Sequence, residues 1–445
     1  MAEITKEDLY LKARLLAEGL HFRDPIEKLN PELQIMAQRF PTSDTSTIEV
    51  PDKIDFNNLN QILELKIKTT LPSIAKTEIG TVLILDKSKI KVPIYPNRHS
   101  RLEFSMNGDG GKIYDRDDLV ATGKFLKKPK WMDEKLSNGL PIEYALPAPS
   151  EETINMNLTL SCCNYNANQG CRYCAHYNNP ISRKINILPI EVLREYNKIQ
   201  SEAVKIATDH GWRGNIAVSG GGFAPAQRSE QLARIKLVVN GLHESLGDEV
   251  FKELGIVINH YPPEDLSDLN EWKELGVMGS TFDLEVLDEA YFSAICPGKS
   301  TYKPFSYWKK AQEVAVEVFG PLFGSTGCIV VGIEPMSTLL AGFEERLSKG
   351  VMLLPIVFMS CLGSAYWGFR TPTADWIVEA SNKIVDIFLK HGIKWLRKAS
   401  KFAKREGAQK AIVSGIPKSG RADIVFDELG RRITEKFGGK SLAEL

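Results

Sequence analysis

Apolar and polar positions follow a different period in each of three stretches of the chain. Up to about residue 78 the apolar residues recur at helical spacing, as in the stripe of Leu9, Ala13, Leu16 and Leu20 and a second stripe around Met36. From about 80 to 150 the pattern changes to short β-like runs broken by Asn-Gly and Pro-Asn turn signals. The first 150 residues therefore predict an α+β extension, helical at first and then β-rich.

From about residue 154 onward, apolar runs of strand length alternate with amphipathic stretches of helix length. Six such units in series predict a parallel sheet with helices outside it, because parallel strands need crossover connections. Six units are too few to close an eight-stranded barrel, so the predicted fold class is α/β with a partial, open (β/α)6 barrel. The predicted strands are Asn155–Ser161, Asn215–Gly220, Gly255–His260, Ser280–Val286, Cys328–Glu334 and Leu353–Met359.

The barrel is predicted to span residues 151–392, after the N-terminal extension over 1–150. Residues 393–445 predict a small α/β tail, with a short strand at Ala411–Ser414 between two helices. In parallel barrels the reactive groups lie at the C-terminal ends of the strands. Candidate site residues are therefore expected at those strand ends.

The charge and composition exclude several classes of partner. The chain has 445 residues, with 56 Lys+Arg and 56 Asp+Glu, so no net field would draw it to nucleic acid or to an anionic membrane. It contains no run of about 20 apolar residues and no N-terminal secretory signal, which predicts a cytoplasmic protein. Cytosolic thiols stay reduced, and four of the seven cysteines fall within residues 162–174. That density favours metal or redox chemistry.

The first predicted barrel strand runs into this group of cysteines, which comprises Cys162, Cys163, Cys171 and Cys174. Three thiolates on one loop can hold three irons of a [4Fe–4S] cube and leave the fourth iron open to a small ligand. The alternative is a structural zinc bound by all four thiols. Tetrahedral zinc usually takes two spaced pairs of cysteines, whereas two adjacent cysteines would both have to turn inward.

The loop resembles the radical S-adenosylmethionine superfamily, whose common pattern is C-x3-C-x2-C with an aromatic residue just before the last cysteine. This chain has C-x7-C-x2-C, so its first gap is four residues longer. The resemblance implies Cys163, Cys171 and Cys174 as the cluster ligands. A pattern that starts at Cys162 is also possible; Cys163 is favoured because the Asn that follows it gives the Cys-Asn start that often opens the family loop.

The ends of later strands extend the resemblance. A glycine run follows the second strand, where the superfamily carries a Gly-Gly-Glu type motif that contacts the methionine amino group through backbone; the third position here is Gly222. The fourth strand carries Asp283 and Glu285 two residues apart, hence on one face, and a buried charge needs a partner. This segment resembles the biotin-synthase-like branch, where an acidic residue contacts the cofactor. An arginine often follows on the next helix, a neighbourhood that reads Trp308-Lys309-Lys310 here.

On the fifth strand, Gly332 and Glu334 resemble a Gly-x-x-Glu strand end that flanks adenine, and a packed core strand with a capping Glu is the alternative. His260, at the third strand's end, fits either a substrate contact or a structural hydrogen bond. The segment Phe358–Gly363, after the sixth strand, is a candidate substrate loop. The residues implied to bind S-adenosylmethionine are Tyr173, Ser219, Gly220, Gly221, Gly222, Glu285 and Gly332.

The resemblance implies a [4Fe–4S] cluster that, once reduced by a donor such as flavodoxin or ferredoxin, cleaves S-adenosylmethionine to methionine and a 5′-deoxyadenosyl radical. The radical would transform a small-molecule substrate in cofactor or metabolite biosynthesis, by rearrangement, methyl transfer or bond formation. The cofactors would carry the hard chemistry, and the barrel would orient them. The other hypothesis is a zinc-stabilised barrel enzyme or binding protein without radical chemistry.

Overall fold

The computed structural model describes residues 4–23, 54–55, 57–70, 82–146, 152–160, 162–174, 188–360, 363–406 and 423–437. Their strands form two separate sheets of six strands each. The strands are β1 (His21–Phe22), β2 (Val82–Leu85), β3 (Lys91–Pro93), β4 (Leu102–Asn107), β5 (Gly110–Asp115), β6 (Asp118–Phe125), β7 (Thr153–Asn157), β8 (Asn215–Ser219), β9 (Gly255–Asn259), β10 (Gly279–Thr281), β11 (Leu322–Val331) and β12 (Val351–Val357).

The helices lie mostly between the strands of the second sheet. They are α1 (Lys6–Glu18), α2 (Leu59–Thr70), α3 (Cys163–Asn166), α4 (Ile190–Asp209), α5 (Gln231–Glu253), α6 (Asp268–Glu274), α7 (Glu289–Ile295), α8 (Pro297–Tyr302), α9 (Phe305–Phe319), α10 (Met336–Ser348), α11 (Ala374–Ile387), α12 (Ile393–Glu406) and α13 (Asp423–Phe437). None of these described helices combines the length and the apolar character needed to cross a lipid bilayer.

The N-terminal sheet has the order β1-β4-β5-β6-β2-β3. Its pairs are antiparallel except for β1 and β4, which run parallel. Helix α1 buries the predicted stripe, including Leu9, Ala13 and Leu16, and packs on α11 and α13. Lys12 on α1 is fully buried and its Nζ lies 2.6 Å from Asp427 Oδ2 on α13. The extension is therefore joined to the C-terminal helices; the stripe around Met36 and the strand at Ala411–Ser414 lie outside the described residues.

The second sheet is parallel throughout, and its order β12-β11-β10-β9-β8-β7 follows the chain. Helices connect the strands, and the apolar residues of β7, β8 and β9 that face these helices, such as Met156, Val218 and Ile258, are fully buried. Six strands in sequence order with outer helices make an open half-barrel. The predicted α/β fold class is confirmed.

The largest differences from the predicted strand boundaries lie at β10 and β11. Strand β10 ends at Thr281, so Asp283 and Glu285 do not alternate along a regular strand. Glu285 has a φ of 68° and makes a single parallel bridge with Ile329. The Asp283 carboxylate accepts the Cys328 N–H at 2.7 Å, so a side chain takes a place that a strand backbone would hold. Strand β11 begins at Leu322, six residues before the predicted start, and ends at Val331.

Candidate functional site

The cysteine loop follows β7 and is fixed to the glycine segment that follows β8. The Cys163 N–H donates to the Gly222 carbonyl at 3.0 Å. The Gly222 N–H donates in return to Cys162 Sγ at 3.2 Å. Neighbouring parallel strands end at the same edge of the sheet, so these two loops meet there. The structure thus joins the two sequence motifs that the resemblance singled out.

The far side of the cysteine loop contacts the turn between α7 and α8. The Arg172 N–H donates to the Ile295 carbonyl, and the Gly298 N–H donates to the Gln169 carbonyl, each at 2.9 Å. Tyr165 is buried beneath the loop, with its hydroxyl 2.8 Å from Cys174 Sγ. The six cysteines within the described ranges are all free thiols. Among the same residues, no three His, Cys, Asp or Glu side chains lie close enough to hold a metal ion.

Gly298 leaves the space that the cysteine loop needs. A Cβ at this position would lie 2.2 Å from Cγ of Asn164, a buried residue of α3. The Asn164 side chain is also held by a hydrogen bond, since its Nδ2 donates to the Tyr261 hydroxyl at 2.6 Å. Neither partner can move without breaking a contact of the loop.

We expect Gly298→Ala to lower the free energy of unfolding by about 1–3 kcal/mol, the usual cost of overpacking a filled site. Thermal unfolding with and without bound iron would measure the loss. Gly430→Ala is the matched control, because a Cβ there meets no atom within 4 Å. Equal melting temperatures for the two variants would contradict the tight fit at Gly298.

The glycine segment has close neighbours that leave no space for a Cβ atom at two of its positions. A Cβ on Gly220 would lie 2.7 Å from Thr159 Cγ2, and one on Gly222 would lie 2.8 Å from the Tyr261 ring. The Gly221 carbonyl accepts a hydrogen bond from His260 Nε2 at 2.9 Å. Ser219 is the last residue of β8 and is only partly buried. Backbone of this segment is therefore held in place by its packing, before any ligand is considered.

His260 is a structural hydrogen-bonding residue in this arrangement. Since the Gly221 carbonyl can only accept, Nε2 carries the proton, and Nδ1 accepts from Gln231 Nε2 at 2.8 Å. Gln231 Nε2 also donates to the Tyr261 carbonyl at 2.7 Å. Burial lowers the pKa of His260 from its ordinary value of 6.5 to about 4. Of the two roles open to it, the structural hydrogen bond is the one the structure shows.

The depressed pKa of His260 predicts a pH dependence of stability. Between pH 6.5 and about 4 the unfolded chain binds a proton that the folded chain does not, so stability falls as the pH falls through this window. The loss is roughly 3 kcal/mol at most. Urea unfolding at a series of pH values would measure it, and His260→Gln should remove this component of the slope. An unchanged slope in the variant would contradict a neutral buried His260.

The acidic residue proposed on the fourth strand has a buried partner that the sequence did not reveal. Lys299 Nζ donates to Glu285 Oε1 and to the Asp283 carbonyl, each at 2.6 Å. Lys299 is 6% and Glu285 8% exposed. Trp308 occupies the region in which the biotin-synthase-like branch often has an arginine. Its Nε1 donates to the Lys299 carbonyl at 3.3 Å, and its ring centroid lies 5.0 Å from Lys299 Nζ. A cationic partner for Glu285 could have been expected from the sequence, because a buried carboxylate needs one.

These charges lie beside the cysteine loop. Burial acts against the charge of Lys299, but the Glu285 and Asp283 carboxylates raise its pKa above the ordinary value, and the neighbouring Cys171 acts in the same direction. Burial, together with Glu285, raises the pKa of Asp283 to about 6. Burial also raises the pKa of Tyr173, which lies near Glu285. The structure therefore brings Tyr173 and Glu285 together, with Lys299 as the residue that sequence reasoning missed.

The segment after β11 forms a packed corner. Gly332 has a φ of 103°, and a Cβ there would lie 2.1 Å from Pro372 Cγ. Both carboxylate oxygens of Glu334 accept the Leu287 N–H, at 2.9 and 3.2 Å. Burial raises the pKa of Glu334 to about 7. Glu334 thus fits the capping alternative, and a contact between Gly332 and adenine stays a prediction.

The interior of the half-barrel holds a cavity of about 220 Å³. Closed parallel barrels fill this space with large branched side chains, whereas a mixture of polar, small and apolar residues lines an open space here. Its volume is below the ~300–1,000 Å³ of typical small-molecule pockets, so it can take only part of a ligand. The lining residues are Thr153, Asn155, Asn215, Ala217, Gly255, Val257, Asn259, Met278, Thr281, Phe323, Thr326, Cys328 and Leu354.

Comparison with known proteins gives one extensive relative. The chain is 35% identical over 391 residues to the bacteriochlorophyllide c C-7(1)-hydroxylase of Chlorobaculum limnaeum, a match that covers 87% of this chain and 86% of the relative. No protein-family model matches the chain. Identity at this level across most of both chains indicates common descent.

Several solved structures resemble part of the chain, among them the following two. A radical SAM methyltransferase from Sphaerobacter thermophilus is 15% identical, with a TM-score of 0.39, over 53% of this chain and 63% of its own. The FeFe-hydrogenase maturase HydG from Carboxydothermus hydrogenoformans is 14% identical, with a TM-score of 0.37, over 56% of this chain and 54% of its own.

Proposed function

Because this chain belongs to the radical S-adenosylmethionine superfamily, in the family of the bacteriochlorophyllide c C-7(1)-hydroxylase, we propose that it hydroxylates a carbon atom of a bacteriochlorophyllide-type pigment. The observation that carries this proposal is the 35% identity over 391 residues, which spans the barrel and most of the extension. Of the three outcomes expected from the sequence, this reaction is a bond formation. It is a step in biosynthesis on a small-molecule substrate.

The superfamily implies a [4Fe–4S] cluster and S-adenosylmethionine, and the chemistry of the loop fits the cluster. Thiols supply the donors, and the Tyr165 hydroxyl lies 2.8 Å from Sγ of Cys174; hydrogen bonds to sulfur are among the means by which proteins tune such clusters. The buried Lys299 also places a positive charge near the thiols. We propose Cys163, Cys171 and Cys174 as the ligands, with Cys162 Sγ anchoring Gly222 instead.

When bound, the two cofactors would supply an electron to the sulfonium and a carbon radical that takes a hydrogen atom from an unreactive C–H bond. The chain's own residues would orient S-adenosylmethionine. Backbone of Ser219–Gly222 is fixed by His260 and Tyr261 and is the proposed partner of the methionine amino group. Glu285, held by Lys299, is the proposed carboxylate contact. Tyr173 and Gly332 complete the proposed pocket, and a flavodoxin or ferredoxin is the proposed electron donor.

An anaerobic assay tests the proposal. Protein reconstituted with iron and sulfide and reduced with dithionite should give a [4Fe–4S] EPR signal and form 5′-deoxyadenosine from S-adenosylmethionine. With bacteriochlorophyllide c and H2¹⁸O present, mass spectrometry should show a product that has gained one ¹⁸O atom. Without O2 the oxygen would come from water, and the substrate would lose one electron with the abstracted hydrogen atom and a second one to the oxidised cluster. A colourless protein that retains zinc would overturn the radical chemistry. Formation of 5′-deoxyadenosine with no change to any bacteriochlorophyllide would overturn the substrate class alone.

The choice between the two adjacent cysteines has its own test. We expect Cys163→Ser to lose most of its cluster iron and Cys162→Ser to retain it, because Cys162 Sγ already accepts the Gly222 N–H. Iron and sulfide analysis with EPR spectroscopy of both variants would measure the difference. The reverse result would assign the first ligand to Cys162.

A further inference from the structure

The loop that follows β12 exposes two large aromatic side chains at the C-terminal rim of the half-barrel. We call Gly363–Arg370 the rim loop. Trp367 is 49% and Phe369 59% exposed, which makes them the most exposed aromatic residues within the described part of the chain. Two exposed aromatic side chains so close in sequence are unusual on a protein surface, and exposed apolar patches often mark a binding site.

The backbone of the rim loop is well defined by hydrogen bonds. Ser360 Oγ donates to the Tyr366 carbonyl at 3.1 Å and accepts the Gly368 N–H at 2.9 Å. The Phe369 N–H donates to the Tyr366 carbonyl at 3.1 Å. Gly368 turns the chain between the two exposed aromatics with a φ of 87°, a conformation that favours glycine. The loop therefore presents Trp367 and Phe369 from an ordered turn.

An aromatic stack lies beneath this surface. The Tyr366 and Phe369 rings are stacked with centroids 4.7 Å apart and planes 28° from parallel. Phe358, which is buried, meets the edge of Tyr366 with centroids 6.3 Å apart. Stacked and edge-to-face rings stabilise one another beyond the area they bury. The exposed face of Phe369 is thus the outer layer of a packed aromatic cluster.

The rim loop is attached to the cysteine loop. The Tyr366 N–H donates to the Arg172 carbonyl at 3.1 Å, and Arg172 lies between Cys171 and Cys174. Any molecule that rests on the rim loop is therefore close to the loop on which the cluster is proposed to bind. A radical reaction requires that proximity, because the reacting atoms must be in near contact.

A cationic side chain adjoins the aromatic surface. Arg370 is exposed and follows Phe369 directly. It forms no ion pair with any residue that the structure describes. Guanidinium groups bind carboxylates in a bidentate manner and also stack on flat rings.

We propose that the rim loop is the substrate platform, on which Trp367 and Phe369 bind the face of a planar conjugated macrocycle and Arg370 binds its free carboxylate. This inference rests on the proposed function, whose substrate class is a large, flat, unsaturated ring with an acid side chain. The cavity described inside the half-barrel is too small for such a ring, whereas the rim loop is open to one. Exposed aromatic faces and one unpaired cation match these two parts of the substrate.

Binding to the reconstituted holoenzyme separates the parts of the platform. The probes are bacteriochlorophyllide c and its methyl ester, titrated by absorbance and by quenching of tryptophan fluorescence. We expect Trp367→Ala and Phe369→Ala each to weaken binding of both probes by about tenfold. Arg370→Gln should weaken binding of the acid and leave binding of the ester unchanged.

Leu119→Ala is the control for non-specific adsorption, because Leu119 is 54% exposed on the N-terminal sheet. It should bind both probes like the native protein. Native binding that survives both aromatic substitutions would overturn the platform and leave the proposed function standing. A native protein that binds neither probe would overturn the proposed function and the platform together. If Trp367→Ala or Phe369→Ala binds the probes normally but no longer self-associates, or is no longer reduced by a flavodoxin, the rim loop is a contact for a protein partner and the inference is overturned.

Discussion

Anaerobically reconstituted Cys171→Ser protein is expected to contain no [4Fe–4S] cluster and to form 5′-deoxyadenosine at less than about one-thousandth of the native rate. Loss of one member of a unit that works together costs about as much as loss of the whole unit. The serine oxygen is a poor substitute for the thiolate that such clusters use. The measurements are iron and sulfide per chain, the EPR spectrum after dithionite, and chromatography of the nucleoside product.

Cys328→Ser is the matched control for this result. Cys328 lies on β11, outside the cysteine loop, and both its backbone N–H and its thiol interact with Asp283, an interaction that a serine hydroxyl can replace. The control should keep the native content of iron and sulfide. Normal cleavage of S-adenosylmethionine by Cys171→Ser would contradict the placement of the cluster on this loop, whatever its effect on stability.

Lys299→Met is expected to lower the free energy of unfolding by about 3–5 kcal/mol, because it leaves the Glu285 carboxylate buried without its partner. The substitution keeps the length and the apolar stem of the side chain, so the lost charge dominates the effect. It also removes the donor to the Asp283 carbonyl. Chemical denaturation of the protein, with the midpoint and the slope both fitted, would measure the change.

Two further variants make the Lys299 result specific. The double variant Lys299→Met/Glu285→Gln removes both charges and should regain much of the stability, since an absent buried pair costs less than a broken one. Lys236→Met breaks an exposed pair with Glu271 and should cost less than about 1 kcal/mol. A loss at Lys299 no greater than the loss at Lys236 would show that the Glu285 carboxylate is not held in a buried, charged state.

Much of the fold could be predicted from local patterns. The six barrel strands were each placed within a few residues, except that β10 ends early at Thr281 and β11 begins early at Leu322. Period-2 and period-3.6 patterns report which face of an element is buried, and that information is local in sequence. The side chain of Asp283 replaces a strand hydrogen bond at this point, and no periodicity records such a substitution. The division into three regions stays a prediction at its boundaries.

By itself the sequence determined the α/β class, the place of the cysteines after the first barrel strand, and the chemistry that three thiols on one loop favour. Each of these follows from residue type and spacing over short distances. The tertiary structure decided which distant groups meet. Lys299 reaches Glu285 across 14 residues and His260 reaches the Gly221 carbonyl across 39. Gly298 makes room for Asn164 from a different β/α unit.

The physical reason is that these contacts depend on where strands end and how the loops between them pack. A buried carboxylate needs a partner, and this need can be inferred from the sequence. Which residue is the partner cannot be inferred from it. The cysteine loop shows the same division. Its thiols could be recognised from their spacing alone. The half-barrel then joined the loop to the glycine segment, to Gly298 beside the buried Lys299 and to the exposed aromatic rim, through backbone hydrogen bonds that no short-range pattern encodes.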